Sequence, residues 1–198
     1  MSFSQLQALV DNSLLVRLRN AIIADLKTAM PFIKTVEEYG GQFSGEGVKR
    51  VSASPQAIYV SIIAAPKSTP EASGQREHTV TVSLFVLSGK AGTIGHDDAA
   101  LAVAENCAAL AHNKRWSGWP DGSRLQHAQD VKIARIASGA LNKQGVTLIG
   151  VTWQQAVSLG VDLVKEDRQI DGTKVGVVVG EVSQVRVNPE NMGPQTDG

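Results

Sequence analysis

The strongest constraint on the fold is a run at residues 78–87 in which apolar and polar side chains alternate. The apolar positions are Val80, Val82, Leu84 and Val86, and the polar positions between them are Thr79, Thr81 and Ser83. A period of two is the pattern of a β-strand that turns one face to a core. Residues 57–64 form a second strand-like run that is apolar on both faces, so we expect both of its sides to be covered.

Two segments carry the spacing of amphipathic helices. In residues 13–29 the apolar positions recur at steps of three and four, at Leu15, Leu18, Ile22 and Leu26. Residues 96–113 carry a stripe rich in alanine, made of Ala100, Val103, Ala104, Cys107, Leu110 and Ala111. Because small side chains shorten the packing distance, we expect this second helix to lie close against a sheet.

These elements predict an α+β fold. Further strands are expected at residues 131–138, 146–154 and 175–187. The sheet is expected to be antiparallel or mixed, with about four to six strands, two main helices packed on it, and long loops. We expect the 198-residue chain to form a single domain over residues 1–187, followed by a flexible C-terminal tail at 188–198.

Charge and cysteine content exclude several classes of protein. The chain has 19 basic and 19 acidic side chains, which argues against a protein whose main task is to grip nucleic-acid phosphates. The single Cys107 excludes an intrachain disulfide and a multi-cysteine zinc site. No apolar run approaches the roughly 20 residues of a membrane span, and the first residues lack the pattern of a secretory signal. We expect a soluble protein, assembled in the cytoplasm, without membrane contact or specific nucleic-acid binding.

The glycine-rich turn at residues 89–95 lies between a strand and a helix, where phosphate-binding loops occur. Its Lys90 comes early, whereas the P-loop places its lysine and hydroxyl at the start of the helix. Asp97 and Asp98 stand where an anion would bind and would repel it. His96 beside them offers metal-ligand atoms, but neighbouring helical side chains point in different directions. We therefore expect an ordinary turn and helix start, without nucleotide or metal.

Two further candidates for a functional site are Cys107 and a cluster of basic and aromatic side chains. A thiol in an alanine-rich buried stripe usually packs as a small apolar group and does not react. The cluster resembles single-strand-binding surfaces in composition and contains Lys114, Arg115, Trp116, Trp119, Arg124 and His127. Two tryptophans beside Pro120 favour a loop that is anchored to the domain. We predict no catalytic, cofactor-binding or metal-binding residue, with a small cytosolic enzyme as the less favoured alternative.

Residues 66–77 follow neither period and predict a long polar loop between two antiparallel strands. The loop carries four charged side chains, Lys67, Glu71, Arg76 and Glu77. Because long ordered loops often carry function, we predict that these four residues contact a neighbouring subunit or another protein.

Three segments resemble a family of Mu-like contractile-tailed bacteriophages whose members complete or terminate the tail. They are the opening helix at 13–29, the corner Glu38-Tyr39-Gly40-Gly41 that precedes the strand at 57–64, and the run at 145–153. The resemblance implies a virion structural protein, a tail terminator that forms a homohexameric ring on the head-proximal end of the tail tube. Its implied partners are the tail tube protein and the sheath and neck proteins, and no cofactor is implied. A neck or head-completion protein of the head-tail connector is the alternative.

Overall fold

The computed structural model describes residues 2–39, 56–112, 114–119, 124–137 and 139–160. They belong to two compact units. The first, Met1–Thr69 with Glu77–Leu159, contains the helices and nearly all of the sheet. The second, Pro70–Arg76 with Gly160–Gly198, is described only at residues 70–76 and 160. Gly40 and Gly41, the expected strand at 175–187 and the expected tail at 188–198 lie outside the described residues, so the single-domain boundary stays a prediction.

Four helices occur in the described part of the chain. They are α1 (Phe3–Asn12), α2 (Leu14–Ala29), α3 (His96–Ala111) and the single turn α4 (Gly139–Asn142). The helices predicted at 13–29 and 96–113 are confirmed as α2 and α3. Ser13 separates α1 from α2, and its side chain accepts a hydrogen bond from the backbone N–H of Val16, which caps α2. None of the described helices is long and apolar enough to cross a membrane.

The five described strands form one mixed sheet. They are β1 (Thr35–Glu38), β2 (Gln56–Pro70), β3 (Arg76–Ser88), β4 (Gln129–Arg135) and β5 (Thr147–Leu159), in the order β1-β2-β3-β5-β4. β1 runs parallel to β2, in the register Val36 to Ile58. β4 runs antiparallel to β5, in the register Ile133 to Val151. The expected α+β fold, with a mixed sheet and two main helices, is confirmed.

The main core lies between α2, α3 and one face of the sheet. The alternating positions of β3 supply Val80, Val82, Leu84 and Val86, each with 0% exposure, as their period of two predicts. The alanine stripe of α3 meets them, since Ala100, Ala104 and Ala111 are also fully buried. The other residue sets of this core come from α2, with Leu18, Ile22 and Leu26, and from β5, with Ile149, Val151, Trp153 and Val157.

A smaller apolar cluster holds the turn α4 to the sheet. Its buried members are Leu87, Leu141, Val146 and Leu148, and Tyr59, Phe85 and Ile136 pack against them. Leu87 alternates with the core-facing Val86, so this cluster covers part of the opposite face of the sheet. Within the described residues, long helices therefore cover one face of the sheet and the short turn α4 covers part of the other.

The prediction of a long loop at 66–77 is wrong. β2 continues to Pro70 and β3 begins at Arg76, so only residues 71–75 connect the two strands. The backbone N–H of Glu71 donates to the carbonyl oxygen of Gln75 at 2.9 Å, and Gly74 turns the chain with a φ of 83°. A connection this short makes the two strands an antiparallel hairpin. The described side chains between Ala64 and Thr69 are exposed, so this part of β2 has backbone pairing without the apolar alternation that marks a strand in sequence.

Candidate functional site

The segment after α3 is fastened to β5 by the buried amide of Gln155. Its Oε1 accepts hydrogen bonds from the indole nitrogens of Trp116, at 2.9 Å, and Trp153, at 3.2 Å. Its Nε2 donates to the backbone carbonyl oxygens of Lys114, at 3.3 Å, and Gln126, at 2.9 Å. All four hydrogen-bonding positions of this amide are used, as burial of a polar group requires.

Asp25 of α2 fastens the same segment from the other side. Its carboxylate accepts from the backbone N–H of Ser117 at 3.0 Å and pairs with the Lys114 ammonium at 3.2 Å. Burial alone would raise the pKa of Asp25, but the hydrogen bonds from Ser117 and the Lys114 charge outweigh it and hold the pKa below its ordinary value. The anchored-loop interpretation is confirmed for Trp116, which is 2% exposed and presents no open face on which a base could stack.

The start of α3 is tied to β4 and β5 by a polar network. The Thr147 hydroxyl donates to Asp97 Oδ1, and His96 Nδ1 lies 2.8 Å from the same hydroxyl oxygen. Arg135 of β4 pairs with the other Asp97 oxygen at 3.1 Å. The hydrogen bond from Thr147 and the Arg135 guanidinium lower the pKa of Asp97. Although His96 and Asp97 are adjacent on a helix, both reach Thr147, which corrects the expectation that they point apart.

This network replaces a side-chain cap on α3. Gly95 stands at the N-cap and offers no side-chain hydrogen bond. The hydroxyl of Thr147, whose residue is 4% exposed, instead links the first helical turn to the sheet. Among the described residues there is no group of three His, Cys, Asp or Glu side chains that could hold a metal ion. The arrangement therefore joins α3 to the sheet, and within it the positive charge of Arg135 balances the negative charge of Asp97.

The thiol of Cys107 is buried in the core between α3 and the sheet. Burial raises its pKa to about 12, so it is protonated at neutral pH. A protonated thiol is a poor nucleophile and a poor metal ligand. Its environment agrees with a packing role.

A polar groove of about 330 Å³ lies beside β3 and β5. It is lined by Glu77, Thr79, Gln126, His127, Gln129, Gln154, Gln155 and Ala156. Neutral amides dominate this lining, with one carboxylate and one imidazole. Apart from Gln155, whose amide is fully used, such groups can donate to and accept from a polypeptide backbone, and the lining has no Lys or Arg side chain that would hold a phosphate.

The four predicted contact residues lie along the β2–β3 hairpin. Lys67 is exposed on β2, Glu71 begins the turn, and Arg76 is the exposed first residue of β3. Glu77 follows as a half-buried side chain and also lines the polar groove. The structure therefore places the four charges on paired strands and a short turn, and their contact role stays a prediction.

Sequence reasoning missed the exposed apolar side chains of α1. No residue of this helix is buried by the rest of the described chain. Phe3, Leu6, Leu9 and Val10 are 83, 50, 56 and 41% exposed. The signal was available, because Ser2 and Gln5 form a capping box that precedes an apolar spacing of three and four residues.

Comparison with known proteins gives one family. The family model described as Bacteriophage Mu, Gp37 matches residues 14–157, which run from the start of α2 into β5 and leave α1 outside. No curated protein matches the chain. A chain of a solved structure entitled "Virion of native gene transfer agent (GTA) particle" is 16% identical, with a TM-score of 0.38, and the match covers 68% of this chain and 84% of that one. A likeness this distant carries no argument about function.

Proposed function

Because the chain belongs to the Bacteriophage Mu Gp37 family, we propose that it is a structural protein of a phage tail, the terminator that caps the tail tube. In this role a ring of copies binds the head-proximal end of the tube, stops its growth and presents a surface to the neck. The family match supports the phage origin. The resemblance of the helix at 13–29, which is α2, and of the run at 145–153 to tail-completion proteins supports the position on the tail.

The observation that carries the proposal is the apolar surface that the described residues leave exposed. Outside α1 it includes Phe32, at 67%, Ile63, at 55%, and Ile94, at 54%. Single exposed apolar residues are normal on a protein surface, but four on one short helix form a patch. Contiguous apolar patches mark surfaces that other proteins cover. A protein that acts by assembly needs such surfaces and needs no catalytic centre.

The β2–β3 hairpin supplies the second kind of contact. The described side chains from Ala64 to Thr69 are exposed, so this part of β2 is available to a partner. Lys67 and Glu77 place opposite charges on its two strands. Exposed ion pairs contribute only about 0–1 kcal/mol each, so such charges orient a partner more than they hold it. We propose that the hairpin contacts the tail tube while apolar surfaces join neighbouring copies.

The proposal is tested by capping of purified tubes. Tail tube protein is allowed to polymerise with and without the purified chain, and tube lengths are measured by negative-stain electron microscopy. We expect sub-stoichiometric amounts to stop elongation, with density of the added protein at one tube end only. Tubes that elongate unchanged would refute the terminator role.

A neck or head-completion role gives a different outcome in the same assay. A neck protein would leave tube length unchanged and would instead be required for purified tails to join heads. Joining of heads and tails in mixed extracts, scored with and without the chain, separates the two roles.

A further inference from the structure

Helix α1 is fully formed and yet buries no side chain against the rest of the described chain. The capping box of Ser2 and Gln5 closes its start. At its end, the Arg17 guanidinium donates twice to the backbone carbonyl oxygen of Asp11, at 3.1 and 2.9 Å. A helix of 10 residues is marginal in water when it stands alone, because its nucleation is unfavourable. α1 therefore needs another surface to cover it.

The exposed apolar side chains of α1 lie on one face. Phe3, Leu6 and Val10 follow one another at helical spacing, and Leu9 widens the stripe on one side. Ala8 points to the opposite face of the helix. The face to be covered is therefore a continuous apolar stripe along the whole length of α1.

The same chain exposes a second apolar patch, made of Leu101 on α3 and Ile133 on β4, which are 49% and 46% exposed. The ion pair of Asp97 with Arg135, at 3.1 Å, joins the start of α3 to the end of β4. Leu101 lies one helical turn beyond Asp97. Ile133 lies two residues before Arg135, on the same face of the strand. Both apolar side chains therefore lie on the side of the α3–β4 packing that carries the Asp97–Arg135 pair, and we call them the α3–β4 patch.

Strand addition at the edge strand β4 is disfavoured. A bulge interrupts its register between Gln129 and Lys132, and Asp130 within it has a φ of 53°. Bulges and lysines are the devices by which edge strands avoid pairing with other chains. A partner at this edge is expected to pack on side chains.

We propose that α1 packs on the α3–β4 patch of a second copy of this chain, so that each copy in a ring gives its helix to one neighbour and receives a helix from the other. This inference rests on the proposed function, because a head-to-tail ring requires two different surfaces on every subunit. The described residues supply two such surfaces, the α1 stripe with one aromatic and three aliphatic side chains and the α3–β4 patch with two aliphatic side chains.

Interface size favours the body of a second copy over a pair of α1 helices. A specific interface covers on the order of 800 Å² on each partner. α1 has only 10 residues, fewer than the roughly 20 that each side of such an interface contributes, so a pair of α1 helices is too small. When α1 lies on the α3–β4 patch, the surfaces of α3 and β4 around the patch add to the contact.

Matched substitutions test each half of the contact. Leu6→Glu places a charge in the stripe of α1, and Ala8→Glu places it on the opposite face. Ile133→Glu places a charge in the patch, and Lys132→Glu changes the other face of the same strand. In light scattering after size exclusion, we expect Leu6→Glu and Ile133→Glu to be monomers with unchanged circular dichroism, while both controls keep the ring mass. Rings formed by Leu6→Glu would overturn the inference.

Mixing the two interface variants tests the head-to-tail order. The Ile133→Glu chain keeps an intact α1, and the Leu6→Glu chain keeps an intact patch, so together they can form one intact contact. We expect the mixture to give a dimer of twice the monomer mass and nothing larger. A mixture that stays monomeric would contradict the pairing of α1 with the patch.

Disulfide trapping locates the contact directly. Cys107 is the only cysteine and is buried, so it leaves a clean background. A chain with both Leu6→Cys and Ile133→Cys should give a ladder of cross-linked oligomers under oxidation, and either substitution alone should give no cross-link at this contact. Rings without a ladder would overturn the inference.

The capping assay separates the two proposals. If Leu6→Glu still forms rings and caps tubes, the role of α1 is refuted and the terminator role stands. A wild-type chain that stays monomeric and leaves tubes uncapped would refute both.

Discussion

The indole nitrogen of Trp116 donates a hydrogen bond to Gln155 Oε1 at 2.9 Å, across 39 residues of sequence. The two rings of Trp116 and Trp153 lie 5.6 Å apart, and both indoles share the same acceptor. This pair joins the segment after α3 to the core-facing side of β5. It explains why a segment rich in bases and aromatics is a structural anchor.

Removal of the Gln155 amide should destabilise the fold. In Gln155→Leu the two buried indole N–H groups lose their acceptor, and each unsatisfied buried group costs about 1–3 kcal/mol. We expect the free energy of unfolding to fall by about 2–4 kcal/mol. Chemical denaturation followed by circular dichroism measures this. The neighbouring exposed Gln154→Leu should change it by less than about 0.5 kcal/mol. Equal effects would show that Gln155 is not the anchor.

Asp25 should give the protein a specific sensitivity to acid. Its pKa is lower in the folded state than its ordinary value of 3.8. Its stabilising contribution is therefore complete above that ordinary value and is lost as the pH falls through the lower, folded pKa. We expect Asp25→Asn to lower the free energy of unfolding at neutral pH by about 1–2 kcal/mol.

The control is the acid limb of the stability curve, which is the part of the plot of unfolding free energy against pH that falls at low pH. Asp25→Asn should flatten the fall in the unfolding free energy below pH 3.8, the ordinary carboxyl value. Asp98→Asn, at an exposed carboxyl, should keep the wild-type limb. An unchanged limb in Asp25→Asn would place the acid sensitivity elsewhere in the chain.

The Thr147 hydroxyl should stabilise the first turn of α3. Thr147→Val keeps the β-branched shape but removes the hydroxyl that joins His96 and Asp97 to the sheet. We expect faster hydrogen exchange at the amides of residues 99–102, which make the first intrahelical hydrogen bonds of α3, with unchanged exchange in β5. Thr152→Val, a half-buried hydroxyl on the same strand, should leave α3 unaffected. Unchanged exchange at 99–102 in Thr147→Val would contradict this role.

The charges of the β2–β3 hairpin should affect the rate at which the protein associates with the tail tube. A charge exchange, Lys67→Glu with Glu77→Lys, keeps the net charge of zero but inverts the local pattern. Because rim charges act mainly on association rates, we expect capping to slow by on the order of tenfold with little change in stability. Time-resolved tube-length measurements provide the readout. The exchange Glu105→Lys with Lys143→Glu is the matched control, and equal slowing in both would refute a specific role of the hairpin.

The sequence was sufficient to predict the helices and strands that pack an apolar face. The buried positions Val80 to Val86 and the alanine stripe of α3 follow directly from period two and period 3.6. The same period of two runs through β5, where Thr147, Ile149, Val151 and Trp153 are all buried.

Other features depend on contacts that no local pattern encodes. Gln155 continues the buried face of β5, but its partners lie up to 41 residues away. The outer part of the β2–β3 hairpin is exposed, so backbone pairing rather than side-chain alternation extends it. The network at His96 was missed because its third member, Thr147, lies 51 residues further along the chain.

The most direct test of the terminator role is the tail-length distribution in lysates of a phage from which this gene has been deleted. We expect headless tails of irregular and excessive length, seen by electron microscopy, and their return to a uniform length when the wild-type chain is supplied in trans. Tails of normal, uniform length joined to heads in the deletion lysate would contradict it.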